Sequence, residues 1–204
     1  MSGLFVGPDG AARCRWCGGA PEFLPYHDDE WGLPVTDDIR LFEKLCLESF
    51  QSGLSWRTIL TKRENFRAAF HGFDIDRMAR MGPRDVERLL QDEGIVRHRG
   101  KIEAVIHNAR CALDLVEAQG SLAAYFWRYE AAAPRASRAL VVSTSAESVA
   151  LSKDLKRRGW KFVGPTTVYA FMQAMGLVND HAEDCAVHAE VEQARRRFKR
   201  PASR

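Results

Sequence analysis

The sequence predicts an all-α fold, with room for two helical lobes. Three observations predict it. Apolar residues recur at helical spacing along nearly all of the 204 residues. Period-two alternation is almost absent. Caps and glycines cut the apolar pattern into helix-length pieces. With 46% of residues apolar, a chain of this length can bury a large core as one domain, or as one domain with a small lobe.

The elements follow in order. Thr36-Asp37-Asp38 offers a cap and first-turn acids, then Ile39, Phe42, Leu45 and Cys46 at helical spacing, with Gly53 as a stop. Ser55 can cap a second helix running through Ile59, Leu60 and Phe66 to Phe70. Short helices are expected over Ile75–Met81 and Pro83–Leu90, where Pro83 suits a first turn. Gly94 to Gly100 interrupts the pattern, and Ile102–Val116 resumes it. Later helices are expected over Leu122–Tyr129, Ala146–Arg158 (with Ser145 as cap) and Thr166–Met175, the last two closed by Gly159 and Gly176. A basic helix covers Ala186–Lys199. Leu140-Val141-Val142 is the only strand candidate, and Ala131 to Arg138 reads as a loop.

Composition narrows the setting. No apolar run approaches the roughly 20 residues of a membrane helix, and the first dozen residues lack the charged and apolar regions of a secretion signal. Five cysteines, an odd number, argue against a secreted disulfide framework and fit a reducing cytoplasm. The net charge of +3 is mild but uneven. Basic clusters at Arg97-His98-Arg99 with Lys101, at Lys153 to Lys161, and at Arg195 to Arg200 suit contact with a polyanion, or are solvated helix faces.

Two groups of residues could carry chemistry. Cys14 and His27 near the start, with His181 and Cys185 near the end, supply the Cys2His2 set that zinc takes in a closed tetrahedron. His181 and Cys185 share one face of a helical turn, while Cys14 and His27 converge only if the whole fold brings them together. Cys17, three residues after Cys14, is an alternative ligand, and buried thiols with a core histidine are the plain alternative to a metal. The second group centres on Glu48, which falls on an apolar stripe with Leu41 and Leu45. A carboxylate there is costly to bury unless donors or a cation face it, and the alternative is a stripe-edge glutamate reaching water. Trp56 follows closely, and Trp16, Phe23, Tyr26 and Trp31 crowd the N-terminal segment. An aromatic wall beside a hydrogen-bonding carboxylate is what a nucleobase pocket needs; core packing explains any single aromatic.

The segment Gly94-Ile95-Val96-Arg97-His98-Arg99-Gly100-Lys101 joins two helical patterns. Such a hairpin can offer backbone N–H groups and a helix N-terminus to a DNA phosphate. The sequence shows no nucleophile–base pair, no phosphate-cradling loop and no dinucleotide fingerprint.

These residues, in order, resemble the type I 3-methyladenine DNA glycosylase family, from Arg13-Cys14-Arg15-Trp16 to Cys185. The most specific blocks are Tyr26-His27-Asp28-Asp29-Glu30-Trp31-Gly32, Gly53-Leu54-Ser55-Trp56, Gly94 to Ile102, Leu151-Ser152-Lys153 through Gly159-Trp160-Lys161-Phe162-Val163-Gly164, and Phe171-Met172-Gln173 through Asn179-Asp180-His181. The resemblance implies a helix-hairpin-helix DNA glycosylase with a structural zinc clasp joining its ends, on Cys14, His27, His181 and Cys185. It implies Glu48 as the catalytic and base-reading residue, Tyr26, Trp16 and Phe23 beside it in the base site, and Trp56 stacked on the base. Gly53 and Leu54 resemble the wedge that fills the space of a flipped nucleotide, and Gly94, Arg97, Arg99, Gly100 and Lys101 resemble a phosphate-binding hairpin. Phe23 stands where some relatives carry tyrosine.

The implied partner is double-stranded alkylated DNA bound by a monomer, with no membrane. The expected organisation is an N-terminal extension over 1–12, a glycosylase domain over 13–185 and a basic helix and tail over 186–204. The expected activity is monofunctional excision of 3-methyladenine without lyase chemistry. A non-enzymatic, zinc-stabilised DNA-binding module is the alternative.

Overall fold

The computed structural model describes residues 4–131 and 142–202. The expected strand at Leu140–Val142 and the loop from Ala131 to Arg138 fall largely outside them. The described residues form eleven α-helices and one two-stranded hairpin. The helical expectation holds. The hairpin is an addition: β1 (Leu4–Val6) pairs antiparallel with β2 (Ala12–Cys14). Its two three-residue strands are too short to show alternation.

A short 3-10 turn over Arg15–Gly19 leads to α1 (Phe23–Asp29). Pattern reading missed α1 because Pro25 lies within it. Pro25 is the third residue of the helix, where a missing N–H costs nothing. Asp37 caps α2 (Asp38–Gln51) by accepting the Arg40 N–H at 2.8 Å. Every residue of α2 from Leu41 to Phe50 is buried. A helix buried on all sides must be packed all round, and α2 contacts α3 (Trp56–Thr61), α7 (Arg99–Gln119), α8 (Leu122–Phe126) and α10 (Pro165–Ala174). Its polar residues therefore need partners inside the protein. Glu43 takes Arg67 at 2.7 Å, Ser49 donates to the Leu45 carbonyl, and Lys44 faces Glu48.

The helix expected from Ser55 to Phe70 is two. Ser55 caps α3, the chain bends at Lys62, and α4 (Arg63–Ala69) follows. Next come α5 (Ile75–Ala79), α6 (Pro83–Leu90), with Pro83 opening it as expected, and α7, whose N-cap is His98. After α8, Ser145 caps α9 (Ala146–Arg157) and α10 follows Gly164. The core runs through Phe42, Phe50, Phe66, Phe70, Phe73, Phe126 and Phe171, each fully buried. Each such side chain contributes about 1.5–3 kcal/mol on burial.

The basic tail forms α11 (His188–Arg197); of its basic residues Arg195 is buried, while Arg196, Arg197, Lys199 and Arg200 are exposed. Arg195 and Arg200 both pair with Glu130, at 3.0 and 2.6 Å, and Phe198 packs on Trp127 with ring centroids 4.2 Å apart. At the other terminus the Ala186 N–H donates to the Ala12 carbonyl at 2.7 Å. Of the Lys153–Lys161 cluster, Arg157 and Arg158 pair with Asp154. No helix among the described residues is long and apolar enough to cross a membrane.

Candidate functional site

Cys14, His27, His181 and Cys185 converge in the core, with their ligand atoms all within 4.8 Å of one another. β2 ends on Cys14, α1 carries His27, and the segment between α10 and α11 carries the other two. Cys185 Sγ lies 3.5 Å from His27 Nε2 and 3.6 Å from His181 Nδ1, and Cys14 Sγ lies 3.7 Å from His181 Nδ1. Zinc bond lengths of ~2.3 Å to sulfur and ~2.0–2.1 Å to nitrogen put the S···N edges of a tetrahedron at about 3.5–3.6 Å. The donor set and its spacing therefore fit a four-ligand metal.

The outer contacts suit a metal site too. His27 Nδ1 sits 2.7 Å from Asp28 Oδ1, and Asp28 in turn accepts from Arg13 Nε at 2.9 Å. The Arg13 guanidinium holds the Asp28 carboxyl below its usual range. His181 Nε2 lies 2.9 Å from the Trp31 carbonyl. Such partners fix which ring nitrogen faces a metal. Cys17 stays out of the cluster, because its thiol donates to the Cys14 carbonyl at 2.9 Å.

The second group also assembles. α1 brings Tyr26, α2 brings Glu48 and α3 brings Trp56 to one place. Glu48 is 6% exposed, so its carboxylate is inside rather than reaching water. What makes this tolerable is Lys44, one turn earlier on α2 and missed at sequence level. Its Nζ lies 2.7 Å from Glu48 Oε1, donates to Tyr26 Oη at 2.7 Å, and sits 3.5 Å above the centre of the Trp56 ring. One ammonium thus bridges three of the five predicted base-site residues. Burial pulls the Lys44 ammonium below its ordinary pKa, with Glu48 opposing. Burial and the Glu48 charge push the Tyr26 phenol well up, so it stays protonated. The signal that could have revealed Lys44 is its i,i+4 spacing to Glu48 on a helix with no solvent face.

Tyr26, Lys44, Leu47, Trp56, Ala174 and Met175 surround a cavity of about 20 Å³, rimmed by Glu30, Arg40, Glu43, Arg63 and Arg67. The Trp56 indole N–H is buried with no acceptor among the described residues. Trp16 lies behind Tyr26 at 6.2 Å, and Phe23 packs edge-on against Trp16 at 5.7 Å. Neither lines the cavity.

Gly53 adopts φ +79°, a conformation that favours glycine, and turns the chain after α2. Leu54 follows with 38% of its surface exposed, an apolar tip steadied by Gln51, whose amide donates to the Leu54 carbonyl at 2.8 Å. In the turn between α6 and α7, the Gly94 N–H donates to Asp92 Oδ1 at 2.8 Å and is spent locally. Gly100 sits in the first turn of α7, and Arg97 and Arg99 project outward with Glu93 and Glu87 nearby, at 3.5 and 2.9 Å.

Lys101 departs from the expected outward phosphate contact. It is 6% exposed, and its Nζ donates to the Phe50 and Ser52 carbonyls at 2.8 and 2.6 Å. The end of α2 leaves carbonyls without intrahelical partners, and Lys101 satisfies two of them, tying α7 to the Leu54 turn.

Solved structures share this fold. A crystal structure of 3-methyladenine DNA glycosylase I aligns with a TM-score of 0.81 at 51% identity, covering 86% of this chain and 99% of that one. A structure titled for 3-methyladenine recognition by the Staphylococcus aureus enzyme aligns with a TM-score of 0.78 at 39% identity, covering 82% and 91%. The class so defined is the helical DNA glycosylase. The DNA-3-methyladenine glycosylase 1 of Escherichia coli (strain K12) is 49% identical over 180 residues, 86% of this chain and 96% of that protein. The methyladenine glycosylase family model matches residues 16–188. The chain belongs to the methyladenine glycosylase family.

Proposed function

We propose that this protein removes 3-methyladenine from alkylated double-stranded DNA by hydrolysing its N-glycosidic bond, leaving an abasic site. The observation that carries this reading is the buried Glu48 carboxylate, linked through Lys44 to Tyr26 and the Trp56 face. A carboxylate accepts hydrogen bonds from an amino edge and compensates a positive charge, while an indole face stacks on any base. Methylation at N3 makes the base cationic while it is joined to deoxyribose, so a pocket with a negative residue and an aromatic floor suits it.

In this reading the nucleotide leaves the duplex and Leu54, presented by the Gly53 turn, fills the gap. Trp56 holds the ring by stacking, Tyr26 and Glu48 read its edge, and Trp16 and Phe23 brace the wall behind Tyr26. The C1′–N9 bond then breaks, and its electron pair neutralises the departing base. Water adds to C1′ and releases a proton. Because the base leaves neutral, no general acid is required. The Glu48 charge also favours the positive sugar that develops as the bond opens. The amine in the cavity lining, Lys44, is held as an ammonium by Glu48 and Tyr26. That leaves it no free electron pair to form a Schiff base, and the enzyme is monofunctional.

α6, the turn at 91–98 and α7 serve as a helix-hairpin-helix element, with Gly94, Arg97, Arg99 and Gly100 approaching a phosphate. Cys14, His27, His181 and Cys185 would hold a structural zinc ion, which would neutralise the buried thiolates and join the N-terminal and C-terminal segments. All four positions belong to protein, leaving none for activating water. The catalytic domain is 13–185, the protein acts as a monomer, and its place is the cytoplasm.

The test is incubation of the full chain with methylated duplex DNA and chromatography of the released bases. Free 3-methyladenine is the expected product, and borohydride should trap no covalent adduct. Binding of the duplex without base release would favour the non-enzymatic module instead.

A further inference from the structure

The pocket described above already holds a cation. Lys44 Nζ lies 3.5 Å from the centre of the Trp56 ring, and both side chains line the cavity. The same atom occupies Glu48 at 2.7 Å and Tyr26 at 2.7 Å, the two groups that would read the base. The remaining cavity of about 20 Å³ has room for roughly one water, whereas a purine has ten ring and amino atoms to place. A base and this ammonium cannot share the Trp56 face.

We propose that Lys44 is a resident cation of the empty base site and that an everted base enters only by exchange with it. The ammonium leaves the indole face, and the base takes over Trp56, Glu48 and Tyr26. This rests on the reading of the pocket as a base site, and it adds a cost that every entrant must overcome. In the empty protein Lys44 keeps the buried Glu48 compensated, which an uncharged side chain could not do. A positively charged base replaces the ammonium charge for charge. A neutral base leaves Glu48 facing it without a cation, so the exchange favours alkylated bases over ordinary ones.

The surroundings offer Lys44 somewhere to go. Glu30 at the end of α1 and Glu43 on α2 rim the cavity, although each already holds an arginine, Arg63 at 2.7 Å and Arg67 at 2.7 Å. Arg40 also lies on this rim. Three arginines outnumber the two acids there, so the displaced ammonium would pass this rim into solvent rather than settle on it.

The experiment uses the full chain and the 3,9-dimethyladeninium cation as probe, because it keeps the charge the base carries while joined to its sugar, with binding followed by quenching of tryptophan fluorescence. Side-chain ¹⁵N spectra of lysine-labelled protein report the Lys44 ammonium directly, with Lys44→Met identifying its resonance. Saturation with the probe should move that resonance to the position of solvent-exposed lysines. Lys44→Ala, which vacates the indole face and leaves Glu48 without its cation, should bind the probe about tenfold more tightly than the unaltered chain. If the probe quenches fluorescence while the Lys44 resonance stays put, or if folded Lys44→Ala binds it more weakly, Lys44 is a fixed base contact and the exchange is wrong. The unaltered protein read by ¹⁵N spectra decides the matter even if Lys44→Ala does not fold. Failure of the unaltered chain both to bind the cationic probe and to release 3-methyladenine from methylated DNA would overturn the base-site reading itself, and the exchange with it. Release of base with an unmoved Lys44 overturns the exchange alone.

Discussion

Cys185 Sγ lies 3.5 Å from His27 Nε2, although 158 residues separate them along the chain. Nothing local brings them together. The segment before α11 must fold back onto α1, and a metal between them would turn that approach into a bond-strength constraint. The purified protein should contain one zinc per chain. Its removal, or Cys185→Ser, should cost at least about 3 kcal/mol, a fall of roughly 6–12 °C in melting temperature for a chain of this size. Metal analysis with thermal melting before and after chelation checks this. An unchanged melting temperature in protein shown to be metal-free would remove the clasp.

Glu48→Gln keeps the shape of the side chain and removes its charge. A hydrogen bond to a charged group is worth about 1.5–3 kcal/mol, so excision of 3-methyladenine should fall tenfold or more. Lys44 then faces an amide instead of a carboxylate, so melting should be measured beside activity. Full excision by a folded Glu48→Gln protein would deny this residue its role.

Much of this arrangement was legible in the sequence, and what escaped did so for identifiable reasons. The Asp37 cap, Pro83 at the start of α6 and Ser145 before α9 are local signals, and local signals survive in the fold. The four residues of the cluster were candidates by type, because zinc takes two thiolates and two imidazoles, and the family resemblance chose His27 over Cys17. Lys44 was hidden because a lysine on a helix ordinarily reaches water. Only the burial of all of α2 from Leu41 to Phe50 reveals that it cannot. Lys101 was misplaced for the opposite reason. A basic residue in a hairpin suggests a phosphate, but the nearer demand is the pair of open carbonyls at Phe50 and Ser52. The β1–β2 hairpin is fixed by pairing and by the Ala186–Ala12 contact, neither of which has a sequence period.

Lys101 and Arg97 should behave differently in DNA binding. Arg97 projects outward, so Arg97→Ala should lower the salt dependence of binding by about one phosphate contact. Lys101→Met should leave the salt slope nearly unchanged. It should instead cost about 1–3 kcal/mol of stability by leaving buried carbonyls unpaired, and loosen the turn that presents Leu54. Affinity measured across a salt series, with denaturant unfolding of each variant, separates the two roles. A salt slope reduced in Lys101→Met as much as in Arg97→Ala would return Lys101 to the phosphate.

Glu130 links the C-terminal helix to the body of the protein, and its ionisation should make that link sensitive to acid. Burial alone would raise its pKa, but hydrogen bonds from Arg200 and Arg195 overcome this and hold it below the ordinary 4.5. The unfolded chain therefore binds the Glu130 proton more readily than the folded one, and stability from this group rises with pH. That contribution is complete above the ordinary carboxylate value and disappears as pH falls through it towards the lower folded value. Arg200 is partly exposed, so solvent and salt reduce its share, while Arg195 is buried and would lose its carboxylate partner. Glu130→Gln should thus cost about 2 kcal/mol at neutral pH, roughly 4–8 °C in melting temperature, and free α11 for proteolysis. The difference from the unaltered protein should shrink steadily below pH 4.5. Melting curves of both proteins over an acid series, with limited trypsin digestion at neutral pH, test this. A difference that stayed constant into acid would mean that packing of Phe198 on Trp127, rather than the charge on Glu130, holds the tail.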